Sequence, residues 1–151
     1  DISRNIKEKL IIKKIKTLLF YYKKLFNKKP KIAVLGLNPH NSELEKNSEE
    51  VKNIIPAIKK LKKYGFIKGP MVADSFFKDD YKKYDVIVGM YHDQVLIPFK
   101  NLFKFNAINI TLGLDYIRIS PDHGTAKDII CKNKGDPKSL IESIKFLNKL
   151  K

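Results

Sequence analysis

Residues 32–40 read IAVLGLNPH. From Ile32 to Leu37 every residue is apolar or glycine, with no polar position to mark a solvent face. A run this short and this continuous suits a strand buried on both sides, as in a parallel sheet covered by helices. Asn38, Pro39 and His40 follow at its carboxyl end. The same arrangement recurs downstream. The stretch 85–90 (DVIVGM) reads as a strand and runs into Tyr91, His92, Asp93 and Gln94. Residues 107–112 (AINITL) read as a third strand, 116–119 (YIRI) as a short fourth, and 71–73 (MVA) as a further short candidate.

Helical patterns separate these strands. Over 4–27, Ile6, Leu10, Ile15, Leu18, Tyr22 and Leu25 recur at intervals of three to five between lysines, with Asp1 or Ser3 available as a cap. After a polar loop at 41–47, Asn47 or Ser48 opens a second helix. Asn47 and Glu50 have capping-box spacing, and Val51, Ile54, Ile55, Ile58 and Leu61 form the expected buried stripe up to Gly65. Asp136 followed by Pro137 opens a last helix in which Leu140, Ile144 and Leu147 repeat. Helices alternating with buried strands predict an α/β fold, a mainly parallel sheet flanked by helices, with 1–151 as a single unit.

Composition narrows the classes. A chain of 151 residues with 43% hydrophobic residues has the size and content of one packed domain. The single cysteine, Cys131, cannot form an internal disulfide, which points to a reducing, cytoplasmic setting. No run approaches the about 18 apolar residues of a membrane span, and the opening DISRNIKEKL has no apolar core of a signal peptide. The net charge is +15, yet among 31 basic residues only Arg4 and Arg118 are arginines. A nucleic-acid surface draws on arginine for bidentate contacts. The lysine excess, alongside 20 Ile and 11 Asn, reads as solvated compositional bias, so neither a nucleic acid nor a membrane is expected as a partner.

The candidate chemistry lies after the strands. All three histidines, His40, His92 and His123, follow predicted strands, and ligands of open α/β sheets bind outside strand carboxyl ends. Imidazoles gathered there can bind a divalent metal. Asn38, Asp93, Gln94, Lys100, Asn109, Arg118 and Asp122 belong to the same set of strand ends. Lysine and arginine beside metal ligands suit an anionic substrate. Arg118 stands out because arginine is otherwise almost absent. In PDHGTAKD (121–128), Gly124 can bring backbone amides close to a ligand. Cys131 reads as an incidental or small buried thiol, and Phe76, Phe77, Phe99, Phe103 and Phe105 as packing residues.

GLNPH (36–40), SEE with the following IIPAI (48–58), MYHDQ (90–94), PFK (98–100), NITLGL (109–114), Ile117–Arg118 and DHGTA (122–126) occur in that order. Together they resemble the C-terminal part of the 4-hydroxythreonine-4-phosphate dehydrogenase family of vitamin B6 biosynthesis, within the wider isocitrate/isopropylmalate dehydrogenase-like fold. The resemblance implies that His40 and His92 ligate a divalent metal (Zn, Mg, Co or Mn). It implies that Lys100, Asn109 and Arg118 bind substrate. It places His123, Gly124, Thr125, Ala126 and Asp128 near the adenine side of NAD or NADP, and so moves His123 from the metal to the cofactor loop. The implied reaction is oxidation of 4-phosphooxy-L-threonine with decarboxylation to 3-amino-2-oxopropyl phosphate, in a homodimer with sites at the subunit interface.

Three departures accompany the resemblance. Family members are about twice as long, and the third histidine ligand aligns just before Asp1. The loop after NPH, glycine-rich in the family, is NSELEKNS here. The stretch after HGTA is KDIICKNKGDP. The expectation is therefore a C-terminal fragment, or one half of a split protein, inactive without a second copy or a separate N-terminal half. The same residues would also suit threonate or erythronate 4-phosphate. A non-catalytic remnant or basic binding module is the other alternative.

Overall fold

A computed structural model describes residues 2–150. The cap candidate Asp1 lies outside them. The backbone divides into two compact units, one running to Pro98 and one beginning at Phe99. The division falls inside a helix, α5 (His92–Phe103).

The first unit is built on a three-stranded parallel sheet in the order β2-β1-β3, where β1 is Ile32–Leu35, β2 Ile67–Met71 and β3 Val86–Val88. The apolar run at 32–35 is the central strand, and all four residues are fully buried. Alternation explains why no polar position interrupts it. Ile32 and Val34 join Ile6, Ile11, Ile15, Ile54, Ile58 and Leu61 in one cluster. Ala33 and Leu35 point the other way, into a cluster with Phe76, Met71, Phe77, Tyr84 and Ile87. Each fully buried Ile or Leu contributes about 1.5–3 kcal/mol relative to exposure. At the opposite end of the sheet Asp85 binds the Lys31 amide (2.8 Å) and the Lys28 ammonium (3.2 Å), which hold its carboxyl below the usual carboxylate range.

Several elements differ from the sequence expectation. The helix over 4–27 is two helices, α1 (Ile2–Asn5) and α2 (Glu8–Phe26). Ser3 does not cap it; its hydroxyl donates to the Glu49 carboxylate. The Glu8 amide instead donates to Asn53 Oδ1 at 3.3 Å, and the Glu8 carboxylate pairs with Lys60 at 2.6 Å. The start of α2 is thus set from another helix, which local sequence cannot announce. Its buried positions are Ile11 and Ile15, while Leu10 is exposed.

The next helix enters through a π turn at Glu50–Ile54 and continues as α3 (Ile55–Leu61). Pro56 has no N–H to give the Lys52 carbonyl, which accounts for the widened turn before it. Of the expected stripe Ile54, Ile58 and Leu61 are buried and Val51 and Ile55 only half-buried, while Glu50 and Ala57 also face inward. The β2 strand lies earlier than 71–73. Gly69 and Pro70 within it disguise it in the sequence, and proline is tolerated because β2 is an edge strand. Val72 and Ala73 instead lead into α4 (Ala73–Phe76).

In the second unit β4 (Ile108–Thr111) and β5 (Arg118–Pro121) form an antiparallel pair. The last helix, α6 (Lys138–Asn148), packs on it; its cap position is Pro137, not Asp136, and the Asp136 carboxylate just before it accepts the Lys138 amide at 2.8 Å. Ser139 and Ser143 are its buried residues; Leu140, Ile144 and Leu147 are exposed. The Ser139 hydroxyl donates to the Ala107 carbonyl and accepts the Asp122 amide, and Ser143 donates to the Ser139 carbonyl.

Candidate active site

The parallel sheet brings the carboxyl ends of β1, β2 and β3 to one edge, and each end carries polar groups. After β1 the chain is clamped from below. The buried Glu50 Oε1 accepts both the Leu37 and the Asn38 amides at 2.8 Å. Glu50, expected as a capping-box partner, holds this loop instead. Asn38 Oδ1 then accepts the amides of His40 (2.9 Å) and Ser42 (3.1 Å), so the backbone carrying His40 is fixed on two levels.

Asn41, Ser42, Glu43 and Leu44 all have positive φ, between 47° and 61°. No glycine relieves this left-handed turn, which costs about 1–2 kcal/mol per residue. A Ser42→Gly, Glu43→Gly chain is expected to be more stable than the parent by about 1 kcal/mol per site. Urea unfolding monitored by circular dichroism checks this; an unchanged or lower midpoint contradicts it.

His40 Nδ1 lies 3.2 Å from Asp74 Oδ2, and the Asp74 amide donates to the Pro39 carbonyl at 3.5 Å. Asp74 sits in α4, just past β2, and was not singled out from the sequence; its position directly after the MVA stretch was the available signal. His92 opens α5, with Nδ1 2.7 Å from Asp93 Oδ1. Both imidazoles are largely exposed. In each, a carboxylate meets Nδ1 rather than Nε2. A carboxylate on one ring nitrogen is an arrangement by which proteins orient metal-binding histidines, so these two imidazoles suit a divalent metal. Among the described residues no group of three or more His, Cys, Asp or Glu is placed to hold an ion. Two imidazoles alone leave a coordination shell incomplete.

The other candidates belong to the second unit. Thr111 and Arg118 are paired across the hairpin, and Arg118 Nη1 donates to Thr111 Oγ1 at 2.7 Å. Asn109 faces Ser120 in the same register. Side chains alternate along strands, so Asn109, Thr111, Arg118 and Ser120 share the polar face, and Ile108, Ile110 and Ile119 the other. Lys100 Nζ pairs with Asp122 Oδ1 at 3.2 Å. His123, Gly124, Thr125 and Ala126 lie along one exposed loop, and Asp128 in the exposed 3-10 turn (Lys127–Ile129) that follows it. The His123 ring meets the Gly124 carbonyl at 3.0 Å, and open space surrounds Gly124, so the loop backbone is accessible to a ligand. Cys131 is exposed, as are Phe103 and Phe105, whereas Phe76 is core. No helix among the described residues is long and apolar enough to cross a membrane.

Residues 1–147 match the family model described as pyridoxal phosphate biosynthetic protein PdxA. The chain is 47% identical over 154 aligned residues to a 4-hydroxythreonine-4-phosphate dehydrogenase of Sulfurihydrogenibium sp. (strain YO3AOP1), covering 100% of this chain and 48% of the relative. It is 43% identical to that of Aquifex aeolicus (strain VF5), covering 99% of this chain and 47% of the relative. The crystal structure of a 4-hydroxythreonine-4-phosphate dehydrogenase from Burkholderia phymatum superposes with a TM-score of 0.77 at 36% identity, covering 99% of this chain and 47% of that one. The chain thus spans about half the length of the curated relatives it matches.

Proposed function

The chain belongs to the PdxA family of pyridoxal phosphate biosynthetic proteins, and from that membership we propose that residues 1–151 supply part of the active site of an NAD-dependent dehydrogenase acting on 4-phosphooxy-L-threonine. The observation that carries this reading is the pair of imidazoles at neighbouring strand ends, each with a carboxylate on Nδ1. His40 and His92 would hold a divalent metal through Nε2. When bound, such an ion acts as a Lewis acid toward the substrate oxygen. NAD, received at the 123–128 loop, would accept the hydride.

The chain's own groups account for the rest of the recognition. Lys100 and Arg118 supply positive charge for phosphate and carboxylate. Asn109, on the Arg118 face of the hairpin, offers one donor and one acceptor to a hydroxyl or amine. The Arg118 guanidinium is steadied by Thr111, which leaves its other N–H groups for an anion. The reading takes 1–151 as one α/β portion of the family fold, with the rest of the site supplied by the other portion of that fold and by a second copy, in the cytoplasm. A four-carbon acid phosphate without the amine would meet the same charges, so threonate and erythronate 4-phosphate belong in the same substrate panel.

The test is a chimera in which residues 1–151 replace the matching part of the Sulfurihydrogenibium relative. With metal, NAD and 4-phosphooxy-L-threonine it is expected to reduce NAD, while residues 1–151 alone do not. A folded chimera without turnover on any member of the panel overturns the reading. In the active chimera, Arg118→Lys is expected to raise KM for the phosphorylated substrate by about 10–100-fold. Lysine keeps the charge but loses the planar fork, and a hydrogen bond to a charged group carries about 1.5–3 kcal/mol. Steady-state kinetics checks this, and an unchanged KM removes Arg118 from the substrate contacts.

A further inference from the structure

One side chain physically joins the two histidine-bearing loops. Gln94, in the first turns of α5, accepts the Met90 amide at Oε1 (2.8 Å) and donates from Nε2 to the Gly36 carbonyl (2.7 Å). Met90 lies just past β3, two residues before His92; Gly36 lies just past β1, four residues before His40. The one carboxamide therefore spans the ends of two neighbouring strands and uses its donor on one and its acceptor on the other. Gly36 is itself held on its other side, where its amide donates to the Met71 carbonyl at 3.0 Å. A carboxylate could not donate to Gly36, and a shorter amide could not reach both partners.

We propose that Gln94 is a positioning residue that sets the separation between the His40 and His92 imidazoles; this rests on the metal-binding reading of those two residues. Neither histidine bonds to Gln94. Its effect passes through backbone that Glu50 and Asn38 hold rigid on the β1 side. Partners that orient metal ligands typically change affinity by about 10–100-fold when removed.

The test titrates the full chain with Co2+ alone and follows the paramagnetic shifts of the histidine ring protons, well below the melting temperature. The variants are Gln94→Met, close in length and neutral, Gln94→Asn, which keeps the amide but not the reach, and His40→Ala. The expected result is Co2+ binding by the parent at His40 and His92, lost in His40→Ala and about tenfold weaker in both Gln94 variants. A merely structural role would lower their melting temperature and leave the affinity of the folded chain unchanged. Parent-like affinity in either folded Gln94 variant overturns the inference and leaves the metal reading standing. Absence of Co2+ binding by the parent, or binding indifferent to His40→Ala, overturns the metal reading and the inference together. Should the Met variant not fold, the Asn variant decides.

Discussion

A Glu50→Ala chain is expected to unfold about 10 °C below the parent. Glu50 is fully buried, and its Oε1 is the acceptor for two amides, those of Leu37 and Asn38. Each hydrogen bond to a charged group contributes about 1.5–3 kcal/mol, and removing the carboxylate leaves two donors facing a cavity. Against this stands Oε2, buried without a hydrogen-bond partner among the described residues, whose removal returns part of the loss. The balance is about 3 kcal/mol, or roughly 2–4 °C per kcal/mol in a domain of this size. Glu50→Gln keeps one acceptor and is expected to lose less than half as much. Thermal unfolding of the three chains, monitored by circular dichroism, checks the ordering. If alanine melts within a degree or two of the parent, the clamp on the His40 loop does not carry this energy.

Gly69→Ala is expected to be more damaging still, by about 4 kcal/mol, with most of the protein insoluble on expression. Gly69 has φ of 146°, outside the range of side-chain-bearing residues. A Cβ there would also lie 2.3 Å from the Val34 carbonyl oxygen and 3.1 Å from Ile58 Cδ1. Val34 belongs to the buried central strand, so its backbone cannot retreat without disturbing both neighbours. Strain of this kind costs about 1–3 kcal/mol before the clash is counted. Gly65→Ala is the control: it has extended backbone and open space at the Cβ position, and its cost should stay within about 0.5 kcal/mol. The comparison is made by urea unfolding on material from the soluble fraction. Equal midpoints for the two alanine variants would contradict the tight apposition of β2 on β1. That apposition also matters for the site, because β2 delivers Asp74 to His40.

How far each element was legible depends on where its determinants lie. The 32–35 strand could be read because burial on both faces demands an unbroken apolar run. The strand at 67–71 could not, because Gly69 and Pro70 serve a close backbone approach and an edge position rather than an apolar pattern. The stripe of the second helix was legible at Ile54, Ile58 and Leu61, whereas Val51 and Ile55 are only half-buried and Glu50 and Ala57 face inward, because a π turn breaks the 3.6-residue period on which the reading rests. Leu140, Ile144 and Leu147 recur as a buried stripe should, yet they are exposed, while Ser139 and Ser143 face inward and the Ser139 hydroxyl bonds the Ala107 carbonyl and the Asp122 amide.

The candidate site divides the same way. His40, His92, Lys100, Asn109, Arg118 and the 123–128 loop were readable as candidates because residue type and a place after a strand are local features of the sequence. Their supports were not. Asp74 backing His40, Glu50 gripping the Leu37 and Asn38 amides, and Gln94 bridging Gly36 to Met90 join residues between 4 and 58 positions apart. The amino-acid order alone determined the α/β class and which side chains can do chemistry, since both follow from short-range patterns of polarity and residue type. Only the tertiary structure decided how those side chains are held, since a hydrogen bond between distant segments leaves no periodic trace in the chain.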